Sequence, residues 1–205
     1  MYKRSMEVLN KVFEHFNKIS PIPPAEWEKA LGIFRPVKLQ KGHFFEGQGQ
    51  VASKFAFVVK GLLREYYALN NGKEFIKTFK SEFQFPCHFR SLLLGEPSRH
   101  EVQAIEDTFL LVAHYSDYKN LVDNHMCWHK IAVSVLEEIL LEKENREFEF
   151  LTMQAGERYK LFIKKYSHIV DRIPQYYIAS YLGIDPASLN RVIRKITSQE
   201  PGQPE

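Results

Sequence analysis

The sequence predicts an α+β protein: an antiparallel β-roll of the jelly-roll kind, then a long dimerisation helix, then a C-terminal helix-turn-helix whose wing is short or absent. Three observations carry this. Residues 34–80 break into short apolar or aromatic runs separated by turn signals. Residues 126–151 form one uninterrupted helical pattern that is apolar on more than one side. Residues 173–196, IPQYYIASYLGIDPASLNRVIRKI, read as two short helices joined by a tight turn. The corresponding divisions are 1–125 for N-terminal helices and β-roll, 126–154 for the long helix, and 155–205 for the helix-turn-helix.

At the N-terminus, Val8, Val12, Phe13, Phe16 and Ile19 share one helical face. Pro21, Pro23 and Pro24 stop that helix, and Pro24 can open a second one through Trp27 and Leu31. From Phe34 the period changes. Lys41-Gly42, Gly47-Gln48-Gly49, Lys60-Gly61 and Asn70-Asn71-Gly72 punctuate the apolar runs, and Asn71-Gly72 is a strong hairpin marker because both residues tolerate positive φ. Several short strands at this spacing imply an antiparallel barrel or double-sheet roll. Residues 81–98 are less regular, and 102–115 return to strand-like composition. Ser116 can cap a short helix through Val122.

The long helix follows. Its first half, WHKIAVSVLEEILLE, offers one apolar side to the β-roll and another to a second copy of the chain, with Trp128, Val135 and Ile139 as seam candidates. Its second half is charged, and Glu142 and Arg146 are spaced to pair. Gly156 reads as a hinge before the next helix, and the last nine residues read as a frayed tail.

In the terminal pair of helices, Pro174 sits at the start of the first. Ile178, Ala179 and Leu182 make its buried face, and Gly183 its C-cap. Asp185 is an N-cap with Pro186 behind it, and Leu189, Val192, Ile193 and Ile196 form the second buried stripe. A steep crossing over so short a turn is what a DNA-binding helix-turn-helix requires. The outward face then carries Ala187, Ser188, Asn190, Arg191, Arg194 and Lys195, groups able to reach phosphates and base edges. Charge agrees. Residues 1–155 balance 20 Lys+Arg against 20 Asp+Glu, whereas 156–196 hold eight Lys+Arg against three acidic residues. A basic excess on a neutral body points to a polyanionic partner, here double-stranded DNA.

Composition bounds the alternatives. With 44% hydrophobic residues the chain can build real cores. It holds no run of 18 apolar residues, so no membrane span or membrane partner is expected. Two cysteines without metal spacing fit a reduced, cytoplasmic protein. A cupin-type metal enzyme would need closely spaced His and Glu ligands; His43, His88, His100 and His114 form no H-x-H pair, so no metal, cofactor or catalytic residue is assigned. A ligand-binding module with a degenerate, non-DNA helical tail is the other competing class, and the basic segment and intact turn glycine count against it.

The order of barrel, long helix and helix-turn-helix resembles the cyclic-AMP-receptor/Fnr family of bacterial transcription regulators. The residues that carry the resemblance are Lys41-Gly42, Glu46-Gly47, Phe57 through Arg64, Asn71-Gly72-Lys73-Glu74, and Ile178 through Ile184 with Ser188 through Arg191. The resemblance implies a cyclic-nucleotide-binding-like barrel, a homodimer, a DNA target and an unidentified small-molecule effector, and it adds RNA polymerase as a candidate partner. It implies DNA contact by Ser188, Asn190 and Arg191; Arg194 and Lys195 join them from the outward face of the same helix. The phosphate cassette departs from the family's pattern: Pro86 and Cys87 stand near the expected Gly-Glu pair, Gly95-Glu96 comes late, and Ser98-Arg99 reverses the usual order. Cyclic AMP is therefore not expected in the usual mode: the pocket is either empty or holds a different anion through His88, Arg90, Ser98 or Arg99. Two cysteines are too few for an iron–sulfur cluster, and the histidines look scattered, with no evident axial pair for haem. Ala187 stands where many members have a glutamate, so base preference is expected to differ.

Overall fold

The computed structural model describes residues 2–198, with side chains from Leu9 onward. The expected role of Val8 in the first buried face, and the tail beyond Ser198, lie outside the described residues.

Helix α1 (Tyr2–Ile19) buries Val12 and Phe16, and α2 (Pro24–Ile33) starts with Pro24 in its first turn. Seven strands follow: β1 (Arg35–Leu39), β2 (Phe44–Glu46), β3 (Lys54–Lys60), β4 (Leu63–Ala68), β5 (Glu74–Lys80), β6 (Glu101–Ala104) and β7 (Thr108–His114). They form two antiparallel sheets, ordered β1-β7-β3 and β2-β6-β4-β5. Ala56, Val58, Leu63, Val102, Leu110 and Val112 fill the space between the sheets, the core expected of a double-sheet roll.

The turn glycines act as the sequence suggested. Gly42, Gly49, Gly61 and Gly72 all have positive φ. Gly61 is doubly required, because a Cβ there would run into the backbone and side chain of Thr108. One irregularity matters later. Tyr66 pairs with Ile76 and Glu65 with Thr78, so Lys77 is the extra residue of a β-bulge.

A short helix, α3 (Phe89–Leu94), occupies the irregular stretch after β5 and ends at Gly95. Helix α4 (Tyr115–Asn124) starts directly after β7, with His114 rather than Ser116 in the N-cap position. The long helix, α5, runs Met126–Thr152. Its start packs on α1, α2, β3 and β7 through Cys127, Trp128 and Ile131.

Two expectations for α5 need correcting. Trp128 is buried against its own subunit and donates its indole N–H to Glu26 Oε2 at 3.1 Å. Val135 packs on the same core, and Ile139 lines the crevice under β5. The apolar stripe left open is instead Met126, Val133, Leu136 and Leu140, on the opposite side of the helix. Nor do Glu142 and Arg146 pair. Glu142 binds Lys165 (2.9 Å) and Thr78 Oγ1 (2.9 Å), while Arg146 donates to two backbone carbonyls. Burial would raise the Glu142 carboxyl, but the Lys80 and Lys165 charges hold it down at about 2.

Helix α6 (Ala155–Lys165) begins with a capping box between Gln154 and Glu157. Gly156 lies inside its first turn, so the break with α5 falls at Met153-Gln154 rather than at that glycine. Helices α7 (Gln175–Leu182) and α8 (Pro186–Thr197) complete the described chain, and no strand follows α8 among the described residues. Phe162, Tyr166, Ile169, Ile173, Ile178, Tyr181 and Leu182 from this unit merge with Leu62, Tyr66, Ile76, Phe79 and Ile105 of the β-roll into one core. The helical unit is thus seated on the outer face of the four-stranded sheet.

Candidate nucleic-acid interface and effector cavity

Between α7 and α8 lie only three residues. Gly183 takes φ +70°, and the Ile184 amide donates back to Ala179 O at 3.1 Å, closing α7 as a Schellman turn. Pro174 is the N-cap of α7, with Gln175 as the first helical residue. Asp185 caps α8: its carboxylate accepts from the Ser188 amide at 2.9 Å and from the Ser188 hydroxyl at 2.6 Å. That hydroxyl bond, with the amide bond, holds the Asp185 carboxyl below its usual range. Ala179 is fully buried where the helices cross, and Leu189 is buried beneath α8.

The five residues expected to meet DNA share one face. Asn190, Arg191, Arg194 and Lys195 are exposed, and Ser188 is half-buried. Arg191 Nη2 donates to Ser188 Oγ at 2.9 Å. Since the Ser188 hydroxyl is committed to Asp185, Ser188 orients Arg191 and is poorly placed to read a base itself. The charge pattern also sharpens. Arg172 is held by Glu82 and Glu106, Lys165 by Glu142, and Arg158 by the carbonyls of Met153 and Leu182. Part of the basic excess therefore fastens the unit internally; of the remaining cations with no acidic partner among the described residues, Arg191, Arg194 and Lys195 lie on α8, and Lys160 and Lys164 on α6.

The four candidate effector residues come together around a cavity of about 470 Å³ between α3, the β-roll and α5. His88 and Ser98 are buried in its floor, with Ser98 Oγ 2.5 Å from His88 Nδ1. Arg90 and Arg99 stand at the rim, and Arg90 binds Glu96 at 2.6 Å. Sequence reasoning missed other wall residues, among them Lys77, His100 and Lys143. The histidines are not all scattered: the His88 and His100 rings lie 4.5 Å apart. Burial, reinforced by the nearby Lys77 charge, pushes His100 down to about 3, so both rings are neutral near pH 7; burial likewise lowers His88. Behind them Glu65 is buried and paired with Lys77 at 2.6 Å. Burial would raise its carboxyl, but Lys77 and Lys80 hold it below the usual range. A larger open cleft of about 720 Å³ lies between α1, α5 and α6, but its Lys80, Glu142 and Lys165 bind one another rather than converge on the space.

Residues 36–125 match the cyclic nucleotide-binding domain family. Among solved structures, the chain is similar to FixK2 from Bradyrhizobium japonicum, at 18% identity and TM-score 0.71 over 82% of this chain and 86% of that one. It is similar to a transcriptional regulator of the Crp/Fnr family from Eubacterium rectale, at 14% identity and TM-score 0.67 over 90% and 88%. It is also similar to the c-di-GMP-responsive regulator CLP of Xanthomonas campestris, at 12% identity and TM-score 0.66 over 89% and 96%. The fold is that of the Crp/Fnr regulators. No curated protein matches the chain in sequence.

Within this Crp/Fnr fold the cavity carries its own chemistry. Cys87, near the expected Gly-Glu position, is a buried thiol pushed up to about 12 by burial, an inert group. Gly95 is spent as the left-handed cap of α3, and Glu96 is spent on Arg90. Calorimetry with cyclic AMP and cyclic GMP is expected to show no binding tighter than about 100 µM, about 5.5 kcal/mol. A low-micromolar constant at this cavity would refute that expectation.

Proposed function

We propose that the protein is a cytoplasmic, homodimeric, sequence-specific DNA-binding transcription regulator of the Crp/Fnr type, and not an enzyme. Double-stranded DNA is the principal partner and RNA polymerase a further one. The cavity among His88, Arg90, Ser98 and Arg99 serves a small organic anion other than cyclic AMP. The divisions 1–125, 126–154 and 155–205 act as sensor, dimer helix and reading unit. One observation carries the DNA reading: α8 buries Leu189 while presenting Asn190, Arg191, Arg194 and Lys195 on a single open face.

On this reading Arg191, in the first turns of α8, reads a base. An arginine there can donate two bonds to guanine O6 and N7, which discriminates by about 1–3 kcal/mol. Arg194 and Lys195, a turn later, hold phosphates. Arg191→Ala should weaken specific binding roughly 5- to 150-fold and relax preference at one base pair. Lys195→Ala should weaken all sequences alike and reduce the salt slope by about one. Fluorescence anisotropy on specific and random duplexes separates the two. An equal loss on both duplexes for Arg191→Ala would make it a phosphate clamp only, and no DNA binding by the unsubstituted protein would favour a ligand-binding module with an inert tail.

A further inference from the structure

The seat of the helix-turn-helix on the β-roll is built from two polar side chains whose placement the DNA-reading role does not explain. Strand β5 is the edge of its sheet, so its outer N–H and C=O groups have no strand partner. Ser180, in the middle of α7, takes two of them. Its Oγ accepts from the Ile76 amide at 3.0 Å and donates to Glu74 O at 2.8 Å. Arg146 of α5 takes the third: one nitrogen, Nη2, lies 3.0 Å from both Ile76 O and Tyr181 O, the latter on α7. Its guanidinium lies over the Tyr181 ring at 3.9 Å and the Phe150 ring at 4.8 Å. Three elements therefore meet at the peptide groups on either side of Ile76. The Ile76 side chain, 2% exposed, is buried in the core shared with Ile178 and Tyr181.

The next residue is Lys77. As the extra residue of the bulge it leaves the ladder, lines the effector cavity and pairs with the buried Glu65 behind it. The carbonyl that Arg146 grips is the carbonyl of the Ile76–Lys77 peptide. Any force on the Lys77 side chain is exerted on the peptide unit that anchors α7.

We propose that Ser180 and Arg146 are positioning residues: they seat the reading unit on the edge of β5 and make its position sensitive to the charge balance at Lys77. This rests on α8 being the DNA-reading helix. Two α8 helices in a dimer must match two half-sites at one spacing, so a loosened seat penalises specific binding and spares binding to random DNA.

The test uses full-length protein with a duplex selected from a random library and a random duplex of the same length. Ser180→Ala is expected to weaken specific binding by about threefold to tenfold, the range one hydrogen bond is worth, and random binding by less than about twofold. Ser180→Thr, which keeps the hydroxyl, should restore most of the loss. Lys77→Met, remote from α8, should change specific affinity by a similar factor, with the change falling below about twofold in the Ser180→Ala background. Equal losses on both duplexes, no loss, no rescue by threonine, or an undiminished Lys77→Met effect in the double variant would each overturn the proposal. Amide hydrogen exchange at Ile76 gives a readout independent of DNA: Ser180→Ala should accelerate it by about threefold or more. Unchanged exchange at Ile76 would disprove the seat itself, whereas faster exchange in a protein that binds no DNA would leave the seat standing and overturn the DNA reading of α8.

Discussion

Val133→Glu combined with Leu140→Glu is expected to give a 24.1 kDa monomer where the unsubstituted chain gives a dimer. The two residues lie seven apart on α5, with Leu136 between them, as a coiled-coil seam requires. They are 39% and 64% exposed, on the side away from Trp128 and Ile131, which the β-roll covers. A carboxylate at each position would face its copy across the two-fold axis. Burying an unpaired charge costs several kcal/mol, more than a seam of this length can offset. Being exposed in the single chain, the substitutions should alter its own unfolding free energy by only about 0.5 kcal/mol. Light scattering reports the mass directly. Specific DNA affinity should fall by roughly 10² to 10⁴, because the second half-site loses its tethered partner. Trp128→Ala is the contrasting case: it removes a buried indole from the chain's own core and should lower stability by about 3–5 kcal/mol without acting at the seam. A double-glutamate variant that stays dimeric would place the interface elsewhere.

Gly183→Val should disable the helix-turn-helix from within. The glycine sits at φ +70°, a region that a β-branched residue adopts only under strain. Its Cβ would stand 2.9 Å from Phe150 Cε1. Backbone strain of about 1–3 kcal/mol and overpacking of about 1–3 kcal/mol act together, so a loss of about 2–6 kcal/mol in thermal unfolding is expected. DNA binding should fall with it. Adding Phe150→Ala removes the clash and leaves the strain, so it should recover only part of the loss. Full recovery would mean that the left-handed turn is dispensable.

The features that sequence made legible share a property: they are local. Gly183, Asp185, Pro186 and the apolar spacing around them specify a turn and a cap without reference to the rest of the chain. The Asn71-Gly72 hairpin and the Gly61 turn do the same. Where a choice depended on distant neighbours, sequence failed. A helix apolar on two sides does not say which side faces its own subunit: Trp128, Val135 and Ile139 read as seam candidates, yet they turn toward their own subunit while Met126, Val133, Leu136 and Leu140 stay exposed. Glu142 and Arg146 have the spacing to pair, yet Lys165 and the β5 edge offered each a better partner. Gly156 looked like a hinge because glycine is permissive, but the Gln154–Glu157 capping box places the break before it, and that signal was readable. At the cavity, His88, Ser98, Arg90 and Arg99 were close enough in sequence to be grouped. Lys77, His100 and Lys143 come from β5, the bend just before β6, and α5, and only the tertiary fold and a bulge unite them.

Selection from a random duplex library by the full-length protein tests the central claim most directly. The account predicts enrichment of a two-fold symmetric site, with half-sites about one helical turn apart and two chains bound per duplex. Failure to enrich any sequence over the starting pool, with binding that depends on salt alone, would contradict it.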